Sequence, residues 1–159
     1  MPPITALLHT RNDARRLGRA LETLLPCAEI LIVDHHSTDR TLRVAAEYGA
    51  RILRADDPPA KPYHDRASYD WVLCLDPAEC LTEGLQATLF EWSFATHVVP
   101  NAPAFSVSVR EQVGETWRGH AAAETRLIPR NWRRWNGPLP AHEPSSPALA
   151  GELLRLAFP

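Results

Sequence analysis

Residues 29–34 read EILIVD, four consecutive apolar residues closed by an acid. A short run that is apolar at both parities reads as a strand covered on both faces, the habit of parallel sheets. Such a strand needs neighbours on both sides and covering layers above and below. The flanking sequence supplies them. ITALLHT (4–10) is a second short buried strand, after which Asn12 stands where an N-cap belongs and Asp13 falls in the first helical turn. Ala14, Leu17, Leu21 and Leu24 then recur at helical spacing until Pro26. Past Asp34, HHSTDRTLRVAAEYGA gives a turn, a cap from Ser37 or Thr38, a helix, and Gly49 as its stop. ARILRA and WVLCLD read as a third and a fourth strand. TEGLQATLFEWSFA reads as a helix with Leu85, Leu89 and Trp92 on one face.

The alternation predicts an α/β fold with a mainly parallel sheet and helices on both faces. Beyond residue 97 the pattern changes. AFSVSV alternates apolar and polar as a half-buried antiparallel strand does, and AAETRLIPR reads as another. The tail LAGELLRLAF reads as a short helix. The 159 residues suffice for one core, so the expectation is a single domain, 1–159. It divides into an α/β part, 1–96, and a shortened antiparallel part, 97–159.

Composition narrows the function classes. A formal net charge of −2 gives no global pull toward nucleic acid or anionic lipid, so no nucleic-acid partner is expected. About half of the 15 prolines fall in DDPPAKPY and GPLPAHEPSSP, which read as loops. Cys27, Cys74 and Cys80 are odd in number and lack CxxC spacing, which argues against a disulfide framework and for a reducing cytoplasm. The N-terminus reaches charge too early for a secretory signal. No apolar run approaches the roughly 20 residues that span a bilayer, which predicts a soluble protein still free to touch a membrane surface.

Ligands of open parallel sheets bind at the carboxyl ends of the strands. Those ends carry Thr10 with Asn12, Asp34 with His35 and His36, and Asp76. The order and spacing of ITALLHTRND, EILIVDHHSTDRT, YGARIL and WVLCLDPAE resemble family 2 glycosyltransferases of the GT-A fold, a Rossmann-like architecture. They resemble in particular the bacterial branch related to lipopolysaccharide-core enzymes. RLIPR (126–130) and the pair His142–Glu143 continue the likeness, which covers roughly residues 4 to 143. The turn from Asp34 to Thr41 is its most specific piece.

The resemblance implies transfer of a sugar from a nucleotide-sugar donor to a saccharide or lipid-linked acceptor, with inversion, at the inner face of a membrane. It implies that 1–96 is the nucleotide-binding part and 97–159 a reduced acceptor side. It places Thr10, Asn12, Asp34 and Asp76 in the nucleotide pocket, with a divalent metal (Mn2+ or Mg2+) bridging the diphosphate to the aspartate motif. Three departures stand out: Ala78 replaces the second aspartate of that motif, Pro58, Pro59 and Pro62 interrupt the stretch before Trp71, and the chain is short for the family.

Each site residue also has an ordinary structural reading. Asp76 is a metal or phosphate contact, or a turn acid before Pro77. Glu79 substitutes as a metal ligand for the missing aspartate, or favours the start of the next helix. His142 holds metal or diphosphate and Glu143 acts as general base, or both are an exposed loop pair. Ser37 and Asp39 suit a helix start, and His35 and His36 are metal ligands or, as adjacent histidines in a turn, simply solvated. RNWRRWNG is an acceptor or phosphate platform, a nucleic-acid stacking surface, or a hairpin whose Trp132 and Trp135 pack under the stems of Arg130, Arg133 and Arg134. Besides the enzyme, two further classes remain: a non-catalytic relative that binds nucleotide or sugar, and an interaction module built on this segment.

Overall fold

The structure, a computed structural model, describes residues 3–56, 62–94, 102–119 and 122–158. Strand β1 (Ile4–Thr10) pairs in parallel with β2 (Glu29–Asp34) on one side and β4 (Trp71–Leu75) on the other. β3 (Arg51–Arg54) continues the parallel set beyond β2. Helices α1 (Ala14–Glu22) and α2 (Thr41–Glu47) make the crossovers from β1 to β2 and from β2 to β3. Gly49, at φ 73°, follows α2 in the left-handed conformation that ends helices.

The second half extends the same sheet. β8 (Glu124–Pro129) runs antiparallel to β4, and β6 (Phe105–Val113) runs antiparallel to β8. β7 (Thr116–Gly119) folds back on β6. β11 (Ala148–Arg155) then pairs in parallel with β6 and antiparallel with β5 (Glu79–Leu81), giving the order β3-β2-β1-β4-β8-β6-β11-β5. β9 (Trp135–Asn136) and β10 (Leu139–Pro140) form a separate small hairpin.

The three α-helices of the described residues pack on one face of the sheet, not on both as the alternation predicts. Leu17, Leu21, Ala45, and Leu85, Leu89 and Trp92 of α3 (Glu83–Phe94) share one apolar cluster with Ile4, Leu8, Ile32 and Leu73. On α3, Leu85, Leu89 and Trp92 are the buried side, as their spacing predicts. Trp92 meets Trp71 and Phe105 with ring centroids 5.4 and 6.2 Å apart, fastening α3 to β4 and β6. The other face carries Leu7, Leu31, Val33, Val72 and Ile128. Among the described residues it is covered by a single 3-10 turn (Tyr63–Arg66) and by Trp132, Trp135 and Leu139. Pro58 and Pro59 lie outside the described residues.

The tail is a strand, not the helix its apolar spacing predicts. Gly151 decides this. It sits at φ +100°, and a Cβ there would stand 2.3 Å from Leu85 N and 2.5 Å from Leu85 Cα. The chain can slide between α3 and β6 only as bare backbone. Thr82 locks the contact from the other side, since its N–H and its hydroxyl both donate to Glu152 O.

Among the described residues no helix is long and apolar enough to cross a membrane. The three cysteines are free thiols.

Gly151→Ala should destabilise the fold by about 3 kcal/mol, combining left-handed backbone strain with a backbone clash. Urea unfolding that placed the variant within about 0.5 kcal/mol of the parent would show that β11 does not thread past α3 as described.

Candidate functional site

The loops after β1 and β2 are bound together before any ligand is considered. Asn12, at φ 53°, turns the chain sharply, a conformation asparagine tolerates better than most residues. Its Oδ1 accepts the amides of Thr38 (2.8 Å) and Asp39 (3.3 Å), and its own N–H donates to Ser37 Oγ (2.9 Å). Asn12 therefore does not cap α1. It satisfies amides of the neighbouring loop, whose Asp39 supports α2 by accepting from Thr41 N at 2.9 Å. Asp34 works in the same clamp. It is buried, its Oδ1 accepts from Thr10 Oγ1 (2.8 Å) and Ser37 Oγ (2.6 Å), and its Oδ2 accepts from Ser37 N (3.0 Å).

A cleft of about 1110 Å³ opens at the carboxyl ends of β1 and β4. Thr10 and Asp76 line it, while the exposed Asn12 and the buried Asp34 do not. Asp76 is half-buried in a tight turn, with Oδ1 accepting from Ala78 N at 2.9 Å. Its Oδ2 takes no hydrogen bond from the described residues.

Glu79 does not stand in for the missing aspartate. It is fully buried, and Arg126 grips it with two bonds, Nη1 to Oε1 at 2.6 Å and Nη2 to Oε2 at 2.9 Å. Arg155 Nη2 adds a third at 2.9 Å, and the amide of Asp76 donates to Oε1 at 2.8 Å. With both oxygens taken, Glu79 has nothing to offer a cation. It does not start α3 either; Thr82 does, accepting from Leu85 N at 3.2 Å. Burial opposes ionisation of Glu79, but the hydrogen bond and charge of Arg126 outweigh it and hold its carboxyl below the usual carboxylate range.

His142 and Glu143 lie apart from this cleft. His142 is exposed, and Glu143 is ion-paired with Arg134 and accepts from Ser145 Oγ at 2.6 Å. Neither lines the cleft. A glutamate held by a guanidinium is a poor proton acceptor.

His9, Tyr63 and His64, not singled out from the sequence, join His35 and the two tryptophans in the wall. His9 and His35 share a hydrogen bond, Nδ1 to Nε2 at 2.8 Å, and stack with centroids 5.1 Å apart, with Tyr63 edge-on to both. Burial, with the neighbouring His35 and His64, pushes His9 down to about 4, so it is neutral at pH 7. His64 stacks on Trp135 at 4.4 Å, and Arg134 lies 5.3 Å over Trp132. Both tryptophans are packed and both face the cleft. Asp13 also lines it, buried and bound to Arg16 at 2.7 Å.

No family model matches the chain. Curated proteins do. Over 105 residues, 61% of this chain and 36% of the relative, it is 32% identical to an uncharacterized glycosyltransferase of Rickettsia felis. Over 98 residues, 56% of this chain and 36% of the relative, it is 31% identical to the lipopolysaccharide core biosynthesis glycosyltransferase LpsC of Rhizobium meliloti. Among solved structures, Staphylococcus aureus TarS 1–349 superposes with a TM-score of 0.56 at 16% identity, over 76% of this chain and 38% of that one. The chain resembles the family 2 glycosyltransferases and has their GT-A fold. The matched stretch is about a third of the length of these curated relatives.

Glu79→Gln should cost about 3 kcal/mol at pH 7, because buried Arg126 loses its bidentate counter-ion and keeps only Glu124, at 3.3 Å. The folded carboxyl lies below its ordinary value of 4.5. The stabilisation is therefore complete above that pH and is lost as pH falls through the folded value. Urea unfolding of parent and variant should converge in acid; a gap that is constant with pH would contradict a charge-based role.

Proposed function

We propose that this chain forms the donor side of an inverting glycosyltransferase, binding a nucleotide-sugar for transfer to a saccharide or lipid-linked acceptor at the inner face of a membrane. The observation that carries the reading is the cleft at the carboxyl ends of β1 and β4, the place where GT-A-like sheets hold their ligands. Residues 1–96 supply most of its lining, and 97–159 add Asn131, Trp132, Arg133, Trp135, Gly137 and Pro138. The His9–His35–Tyr63 wall offers ring faces for a base, and Asp76 Oδ2 is an acceptor for ribose or sugar hydroxyls.

A divalent metal is what the family resemblance implies. The donor set does not fit a resident one. Among the described residues no group of three or more His, Cys, Asp or Glu is placed to hold an ion. Asp76 offers one free oxygen, Ala78 offers none, and Glu79 is spent on arginines. One free carboxylate oxygen is too little to hold an ion before a donor brings its phosphates, with which one or two carboxylates suffice.

A second reading, a non-catalytic relative that binds nucleotide or sugar, is favoured by the ion pair that engages Glu143. Release of sugar from a donor in the presence of the chain separates the two.

Thermal unfolding with a panel of nucleoside diphosphates and nucleotide-sugars tests the binding claim. A ligand at about 100 times its Kd should add roughly 2.7 kcal/mol of stability. Asp76→Asn should keep the fold and weaken binding by roughly tenfold, the loss of one charged acceptor. If no member of the panel shifts the transition, the donor reading fails.

A further inference from the structure

A smaller cavity of about 360 Å³ adjoins the main cleft, lined by Arg16, Asp76, Ala78, Glu111 and Arg155 among others. Asp76 and Arg16 line both spaces. We propose that this cavity is an oxyanion pocket that takes the diphosphate of a nucleotide-sugar on Arg155 and Arg16, so that donor binding needs no divalent metal. The inference rests on the donor reading above and goes beyond it.

The first observation is an orphaned donor. Arg155 lines the cavity, and its Nη1 has no partner among the described residues, while Nη2 is fixed on Glu79 Oε2 at 2.9 Å. Arg155 is also held in place: it pairs with Glu79 across β5 and with Glu111 across β6, and the next amide, Leu156 N, donates to Ala78 O at 3.0 Å. The second observation is Arg16. Its Nε and Nη2 both bind Asp13 Oδ1, at 2.7 and 2.6 Å, which fixes the guanidinium and leaves Nη1 without a partner among the described residues. Planar guanidinium forks match phosphate oxygens in geometry as well as charge.

Ala78 explains why arginine suffices. The acids facing the cavity are Asp76 and Glu111, and the bases are Arg16 and Arg155. An aspartate at position 78 would add a negative charge that an approaching diphosphate could meet only with a cation beside it. Alanine leaves the arginine donors to the ligand. Asp76, whose Oδ1 is held by Ala78 N–H, keeps Oδ2 for hydroxyls in the main cleft.

Calorimetry of UDP, uridine and inorganic pyrophosphate, each in EDTA and in manganese, tests the proposal. UDP and pyrophosphate should bind in EDTA, with manganese changing affinity by less than about threefold. Arg155→Gln should weaken UDP and pyrophosphate by roughly tenfold or more and leave uridine unchanged, with Arg155→Lys recovering part of the loss. Ala78→Asp should make UDP binding dependent on manganese. If Arg155→Gln does not fold, Arg16→Gln reads the same loss without touching Glu79. UDP binding seen only in manganese overturns the proposal and leaves the donor reading standing. So do arginine variants that bind as the parent does. No binding of UDP or pyrophosphate in either condition overturns both.

Discussion

Glu79 has no contact with solvent and is held by two guanidiniums. Taking that carboxylate out of water is expensive, and only well-placed partners offset the cost. Arg126, itself almost wholly buried, supplies a bidentate grip and reaches Cys74 O at 3.2 Å as well. Four strands meet at this point: β5 brings Glu79, β8 brings Arg126, β11 brings Arg155 and β4 brings the Cys74 carbonyl. The remaining lone pair of Glu79 accepts the amide of Asp76. The turn that presents Asp76 is thus set by charges beneath it.

That constraint accounts for the shape of the second half. β5 lies at the sheet edge only because β11 returns to cover it, and β11 can return only where Gly151 passes Leu85 without a side chain. The buried pair and the close approach are two ends of one arrangement. A chain lacking either would leave an ionised glutamate without its second partner or expose the β5 edge.

The first half of the fold was legible in residues 4–54. EILIVD is apolar at both parities, and Leu17 and Leu21 keep one helical face. Gly49 ends α2 with the positive φ its identity offers. The tail was misread because LAGELLRLAF carries apolar residues at spacings a helix would also satisfy, and the close approach of Leu85 at Gly151 is a tertiary fact. The site was half legible. Thr10 and Asp76 stand at strand ends, where position alone points to the cleft. Glu79 was not legible, because its partners lie 47 and 76 residues away. His9 left a signal in strand parity: it shares the face of Leu7, on the side opposite the helices. His142 and Glu143 were drawn from order along the chain, and the loop that carries them points Glu143 at Arg134 instead.

Glu79 serves ligand binding mainly by setting the turn that presents Asp76. A double-mutant cycle of Glu79→Gln and Asp76→Asn, read as UDP affinity by calorimetry at a temperature where all four proteins are folded, measures this directly. Each single change should weaken binding, and the second change should add little to the first, giving a coupling above about 1 kcal/mol. Additive losses would contradict the account, since they would mean that the buried pair and the acid turn act on the ligand separately.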